Sequence, residues 1–351
     1  MSHHNAYDSF RTKKSIEKKS RAKERAFGKR VDLDDDFVVE DSKSFGVVIE
    51  TKYNEAHVFY DDEIVVAGLK RNMKGNMNQI VFPGDKVVID SAMGKSVIQN
   101  LISRTSELTR IKKDSTRLNN NGKIEKVIAA NIDVGVNVVS AQEPPLHPKF
   151  IDRYLMILQN SNIQPVICLN KCDLKTEKEE LILDVYRRLG IPVVETSAHQ
   201  NIGIEKLAEY LRGKQAIFVG NSGVGKSSLT NALMDSDEIK TSHVSEKSKR
   251  GRHTTTASKY YVWDKDSSII DTPGIRSLDV SSFSPMEVKD YFPEFDGFSD
   301  KCKYNNCLHF NEPTSVCAVK RGVDDKLINA DRYKSYVRIM EDVMGEKQRN
   351  G

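Results

Sequence analysis

Two short motifs, and the order in which they occur, restrict what this chain can fold into. Asn170-Lys171-Cys172-Asp173 closes the apolar run QPVICLN. Gly220-Asn221-Ser222-Gly223-Val224-Gly225-Lys226-Ser227 closes the run QAIFVG fifty residues later (220 minus 170). The second fits G-x-x-x-x-G-K-[ST], whose glycines let backbone N–H groups wrap a polyphosphate ahead of a helix N-terminus. The segment SSLTNALM, beginning at Ser227 and Ser228, supplies that helix. The first fits N-K-x-D, in which the Asp173 carboxylate accepts hydrogen bonds from guanine N1–H and the 2-amino group while the Lys171 stem lies on the base. Adenine has neither donor, so an adenine nucleotide would leave Asp173 unpaired. Ser197 and Ala198, in the TSA that ends IPVVETS, offer a backbone N–H to guanine O6. Loops so far apart in sequence can share one ligand only if their strands end at the same edge of a sheet.

The surrounding pattern agrees. IDVGVNVVSA, QPVICLN, IPVVETS and QAIFVG read as strands, and HPKFIDRYLMILQNSN, TEKEELILDVYRRLG and NIGIEKLAEYL read as the helices between them. That rhythm predicts a parallel sheet wrapped by helices over residues 124–282. Upstream, FGVVIET, AHVFY, EIVVAGL, DKVVID and SVIQNLIS are five short Val/Ile-rich runs split by polar turns, FPGD among them. They predict a small closed barrel of the oligonucleotide-binding (OB) type over residues 41–104, although an SH3-like barrel reads similarly. Residues 105–123, basic and ending in an Asn-rich turn, read as a linker. The expected fold class is therefore multidomain α/β: an N-terminal OB-type β-barrel, a phosphate-loop domain with its motifs permuted, and a helical C-terminal unit over residues 283–351.

Further nucleotide ligands follow from the same logic. In SSIIDTPG, Asp271 is placed to hold Mg²⁺ through water, and the Gly274 N–H to meet a γ-phosphate. Lys226 reaches the β- and γ-phosphates, and the Ser227 hydroxyl ligates Mg²⁺. One of Thr254, Thr255 and Thr256, with Thr255 preferred, completes the Mg²⁺ shell. Ile275 stands where many GTPases carry a water-orienting glutamine. His253 is the candidate replacement, because a neutral imidazole can position or deprotonate water. The basic run KSKRGR beside it could touch RNA instead or as well.

Cys302-x4-Cys307-x-His309-x7-Cys317 gathers three of the five cysteines into one short window. Four soft donors with no place for water suit a closed structural Zn²⁺ site that helps a small segment fold. Cys168 reads as core, and Cys172 fills the variable slot of N-K-x-D. Net charge is only +4, but residues 1–40 begin with a strongly basic stretch followed by DLDDD. That arm is either a solvated disordered tail or a phosphate-neutralising one, and both can hold. The chain shows neither a secretory leader nor an apolar run of membrane-spanning length, and its cysteines do not form a secreted framework, so a reducing cytoplasm is expected.

The barrel, the motif order N-K-x-D, TSA, phosphate loop, GRHTTT, DTPGI, and the C-x4-C-x-H-x7-C cluster together resemble the ribosome small-subunit-dependent GTPase A family (RsgA, also called YjeQ), over roughly residues 40–345. The resemblance implies a circularly permuted GTPase, cytoplasmic and monomeric, that binds the small (30S) ribosomal subunit and its rRNA late in maturation. It implies hydrolysis of GTP to GDP and phosphate, stimulated by the subunit. It also implies His253 as the catalytic residue and Cys302, Cys307, His309 and Cys317 as zinc ligands. Two other readings stay open: an RNA-binding scaffold with a structural GDP, and a permuted GTPase acting on another RNA.

Overall fold

A computed structural model describes residues 45–52, 54–70, 80–92, 95–113, 123–234, 259–262, 267–271, 280 and 282–349. The basic arm, His253, Thr255 and Gly274 lie outside the described residues. Strands β1 (Gly46–Thr51), β2 (Ala56–Tyr60), β3 (Glu63–Leu69), β4 (Lys86–Ala92) and β5 (Lys95–Leu101) close a barrel in the order β1-β2-β3-β5-β4. β3 and β5 pair in parallel, and the other pairs are antiparallel. Small β-branched and alanine side chains, Val48, Val58, Ala67, Val87 and Ile98, fill its interior. A barrel this narrow has room for little else.

The FPGD turn is also where the barrel docks. Gly84 has φ +91°, and a Cβ there would lie 2.1 Å from the Ala130 carbonyl oxygen, so only glycine fits. Ala130 N–H donates to Pro83 O, and Asn131 Nδ2 donates to Gly84 O. Asp85 is fully buried and takes a two-pronged bond from Arg104, at 2.6 and 2.8 Å. That fork satisfies a carboxylate which burial otherwise pushes toward its neutral form.

Part of the expected linker, residues 107–113, is a strand. β6 (Glu107–Lys113) pairs antiparallel with β7 (Lys123–Ala130) as a separate two-stranded ribbon. Leu108 is buried at its base. The many Lys and Arg residues hid its alternation from the sequence, since the pairing runs through backbone hydrogen bonds that any side chain allows.

The central sheet runs β10 (Val193–Glu195), β9 (Gln164–Asn170), β8 (Val134–Ser140), β11 (Gln215–Val219), β13 (Ser268–Asp271), β12 (Lys259–Val262). Five strands are parallel, and β12 is an antiparallel edge. Both faces are covered, which explains why these strands read as unbroken apolar runs. Val134, Val136, Val138, Ala216 and Phe218 face α3 (Ile204–Leu211) and α4 (Lys226–Met234). The intervening residues Val139, Ile167 and Leu169 face α1 (Pro148–Asn160) and α2 (Glu177–Arg188). Gly135 lets α1 close down on the sheet, since a Cβ there would meet the Leu158 side chain at 2.3 Å.

The C-terminal unit packs on the same face, beside α1. It comprises α5 (Pro285–Val288), α6 (Asp296–Ser299), α7 (Ala318–Asp324) and α8 (Ala330–Arg349). Its Phe292, Phe295 and Tyr336 rings interlock at 5.0 to 5.4 Å. They share one apolar cluster with Tyr154 and Leu158 of α1 and with Ile217 and Val219 of β11. Across this seam Arg332 of α8, 4% exposed, bonds Asp152 of α1 and, at 2.7 Å, Glu294. These partners hold the guanidinium charged despite its burial. Removing one member of such a pair strands the other, so Arg332→Met should destabilise the protein by about 3 kcal/mol or more in denaturant titration. Adding Asp152→Asn should recover part of that loss, and a simple sum of the two single effects would count against coupling.

Candidate nucleotide pocket and metal centre

The carboxyl ends of β8, β9, β10, β11 and β13 open on one edge of the sheet, where α/β folds bind ligands. Asn170 ends β9, Ser197 and Ala198 follow β10, Gly220 follows β11, and Asp271 ends β13. The motifs separated in sequence thus converge.

Asn170 is the joint between them. It is 2% exposed. Its Nδ2 donates to Val224 O of the phosphate loop at 2.9 Å, and its Oδ1 accepts from Ala198 N–H at 3.2 Å. One carboxamide therefore ties three loops. Gly225 makes the approach possible: its φ is +94°, and a Cβ would fall 2.2 Å from Asn170 Nδ2. The Asn170 side chain is engaged with both neighbouring loops, and guanine O6 would meet the same Ala198 N–H that Asn170 Oδ1 takes. Ser197 N–H is engaged with Ile202 O at 2.9 Å.

Lys171 takes a left-handed conformation, φ +56°, and its Nζ donates to Glu143 O in the β8–α1 loop. Asp173 lies in a short 3-10 turn, Cys172–Leu174, with its side chain exposed toward solvent. Cys172 N–H donates to Thr196 O at 3.0 Å, which fastens the base-reading turn to the strand end before Ser197. Cys168 is core as expected. Burial pushes its thiol up to about 12, and its Sγ lies 3.3 Å from Thr196 Oγ1.

In the phosphate loop Gly220, Gly223 and Gly225 all have positive φ. Lys226 Nζ donates to Gly220 O at 2.8 Å and Asn221 O at 2.6 Å. The ammonium thus closes the loop from which it projects. Ser222, Gly223, Ser227 and Ser228 are exposed, and Val224 is buried beneath them. Tyr154 of α1 donates to Asn221 Oδ1 at 3.4 Å, a neighbour no motif announces.

A second cluster lies in the C-terminal unit. The donor atoms of Cys302, Cys307, His309 and Cys317 all fall within 4.8 Å of one another. His309 Nδ1 is 3.6 Å from Cys302 Sγ and 3.5 Å from Cys317 Sγ. Ligands around a tetrahedral Zn²⁺ with Zn–S near 2.3 Å stand about 3.5–3.8 Å apart, so the set fits that ion. His309 Nε2 meets Ser299 Oγ at 3.1 Å, which leaves Nδ1 as the inward atom. Ala318 N–H points at Cys302 Sγ and Lys320 N–H at Cys317 Sγ. The seven-residue gap before Cys317 is folded by Glu312, whose carboxylate takes the Leu308 and Phe310 N–H groups. Burial disfavours charge here: it raises the Cys307 thiol and lowers His309 to about 4. A cation among them would reverse the thiol preference.

Residues 101–281 match the family described as RsgA GTPase. A relative from Flavobacterium johnsoniae, "Small ribosomal subunit biogenesis GTPase RsgA", is 41% identical over 219 residues, 61% of this chain and 67% of its own. One from Thermotoga petrophila bearing the same name is 34% identical over 313 residues, 87% of this chain and 98% of its own. Among solved structures, YloQ, described as a circularly permuted GTPase, aligns with TM-score 0.63 and 27% identity, covering 88% of this chain and 98% of YloQ.

Asn170→Ala should release all three loops at once. Fluorescent-GDP titration should show affinity falling at least about tenfold, the scale expected when a buried joint is left unpaired. Affinity within twofold of the parent would deny Asn170 that part.

Proposed function

The chain belongs to the RsgA GTPase family, and from that premise we propose that it binds the small ribosomal subunit and its rRNA late in maturation and hydrolyses GTP faster when bound there. The family carries GTP hydrolysis to GDP and phosphate. The observation that carries the reading is the joining of the N-K-x-D loop, the Ser197–Ala198 loop and the phosphate loop through Asn170. A pocket built that way binds purine and polyphosphate together.

In this reading Asp173 accepts from guanine N1–H and the 2-amino group, and Lys171 covers the base. Lys226 exchanges the carbonyls of Gly220 and Asn221 for the β- and γ-phosphates, with the N–H groups of residues 221–228 around them. Ser227, Thr255 and Asp271 would hold Mg²⁺. Magnesium, when bound, supplies charge that offsets the phosphates during transfer. The Gly274 N–H meets the γ-phosphate, and His253 orients the attacking water in place of the glutamine that Ile275 cannot mimic. Cys302, Cys307, His309 and Cys317 hold one Zn²⁺ in a structural role, supported by their mutual distances. Among the described residues no helix is long and apolar enough to cross a membrane. We place the work in the cytoplasm, beside ribosomes, and by a monomer.

Steady-state GTP turnover should rise at least about tenfold with purified small subunits and not with large ones, a modest part of what supplied groups give GTPases. Equal rates under all three conditions would remove the ribosomal assignment, and equal turnover of ATP would remove Asp173 as base reader. His253→Ala should abolish the stimulated rate while GDP affinity is kept. Native mass spectrometry should find one zinc per chain, lost in Cys317→Ser together with a lowered melting temperature. Zinc retained at full occupancy in that variant would exclude Cys317 as a ligand.

A further inference from the structure

The base-reading loops occupy the weakest part of the sheet. β10 is three residues long and pairs only with β9 at that edge. Yet the turn holding Asp173 and the loop holding Ser197 and Ala198 must keep a fixed separation to grip one purine. Asn170 ties their inner sides. Their outer sides are joined by a closed ring of charge that no motif predicts. Lys175, two residues past Asp173, donates to Glu180 at 2.7 Å and to Glu195 at 2.6 Å. Arg187 donates to the other oxygen of Glu195 at 2.6 Å and to the other oxygen of Glu180 at 2.7 Å. Glu195 lies two residues before Ser197. Each carboxylate thus splits its oxygens between the two cations, and Asp184 adds a further acceptor to Arg187 at 2.7 Å.

We propose that the Lys175–Glu180–Arg187–Glu195 ring is a positioning device for purine specificity, holding the Asp173 turn and the Ser197–Ala198 loop at the spacing guanine requires. The four side chains are between 25% and 39% exposed. Pairs so open contribute little to global stability, about 0–1 kcal/mol each. Position is a different matter, because a two-pronged bond from Asp173 to N1–H and the 2-amino group is lost over small displacements. The ring's shape matches that task. It spans from the base-reading turn to the strand end through α2, whose own start is fixed by the Thr176–Glu179 capping box. Mutual hydrogen bonding raises the Lys175 ammonium and lowers the Glu180 carboxyl, which keeps both charged near neutrality. None of the four touches the phosphate loop in the contacts described, so the ring acts through the base alone.

The inference rests on the guanine reading of Asp173, and its test separates the two. Inosine diphosphate keeps N1–H, O6 and the diphosphate but lacks the 2-amino group. The ratio of IDP to GDP dissociation constants therefore isolates the grip of Asp173 on the base. Lys175→Met and Glu195→Gln should each shrink that ratio by about threefold or more, with Arg187→Met acting in the same sense. High salt should shrink the ratio in the parent protein and leave it unmoved in Lys175→Met, since screening weakens a part-exposed ring that the variant already lacks. The salt arm uses the unaltered chain, so it reads even where a variant folds poorly. A ratio within 1.5-fold of the parent's in both variants and insensitive to salt in the parent, at about the precision of paired titrations, would overturn the proposal and leave the ring a stability feature. If the parent shows no preference for GDP over IDP, and Asp173→Asn changes nothing, the guanine reading itself fails.

Discussion

A single buried carboxamide conditions the rest of this molecule. Asn170 can donate to Val224 and accept from Ala198 only because β10, β9, β8 and β11 lie in that order with their carboxyl ends at one edge and because Gly225 has no side chain. A buried amide left unpaired is costly, so the three loops are held together or all are disturbed. Convergence of this kind depends on which strands are neighbours, and not on the order in which the chain visits them. That is the physical reason a permuted chain can still bring these loops together. Cutting and rejoining the connections of a parallel sheet leaves the strand ends, and the dipoles of the helices behind them, where they were.

The flanking units attach at different places on this sheet, and the places matter. The barrel docks through Pro83 and Gly84 near the start of β11, where Gln215 Nε2 donates to Ala130 O at 2.6 Å. That is the end of the strand opposite the phosphate loop. The C-terminal unit instead shares α1 with the pocket. Tyr154 of that helix reaches Asn221, and Asp152, two residues earlier, holds Arg332. Movement of α1 would be felt at both ends, because the helix is packed tightly enough that Gly135 cannot bear a Cβ. The Cys302–Cys317 cluster is braced by the same aromatic core: Tyr333 donates to His309 O and Tyr336 to Leu308 O.

Much of this was legible in the residues. The five Val/Ile-rich runs became the five barrel strands, and the alternating runs from Val134 to Val219 became β8, α1, β9, α2, β10, α3 and β11, because apolar periodicity reports burial directly. The Cys and His spacing pointed to four donors that the fold does bring within 4.8 Å. What periodicity could not show was β6 and β7, whose sequences are rich in charge and whose pairing depends on backbone hydrogen bonds. The Lys175–Glu195 and Arg187–Glu195 contacts were equally invisible, since charged residues on amphipathic helices ordinarily face solvent and their partners are chosen by the fold.

The sequence by itself determined the motifs that meet at this edge and their permuted order, because glycine, lysine, asparagine and aspartate at fixed local spacing have few alternative uses. Local spacing acts over a few residues, where backbone geometry is nearly rigid, and so it can be read without coordinates. Only the tertiary structure decided that Asn170 joins three loops, that Lys226 rests on Gly220 and Asn221, and that Arg332 locks the C-terminal unit to α1. Those contacts span gaps of 5 to 180 residues. Whether two such groups meet depends on how whole layers pack, and packing is a property of the assembled sheet and helices and of no single segment.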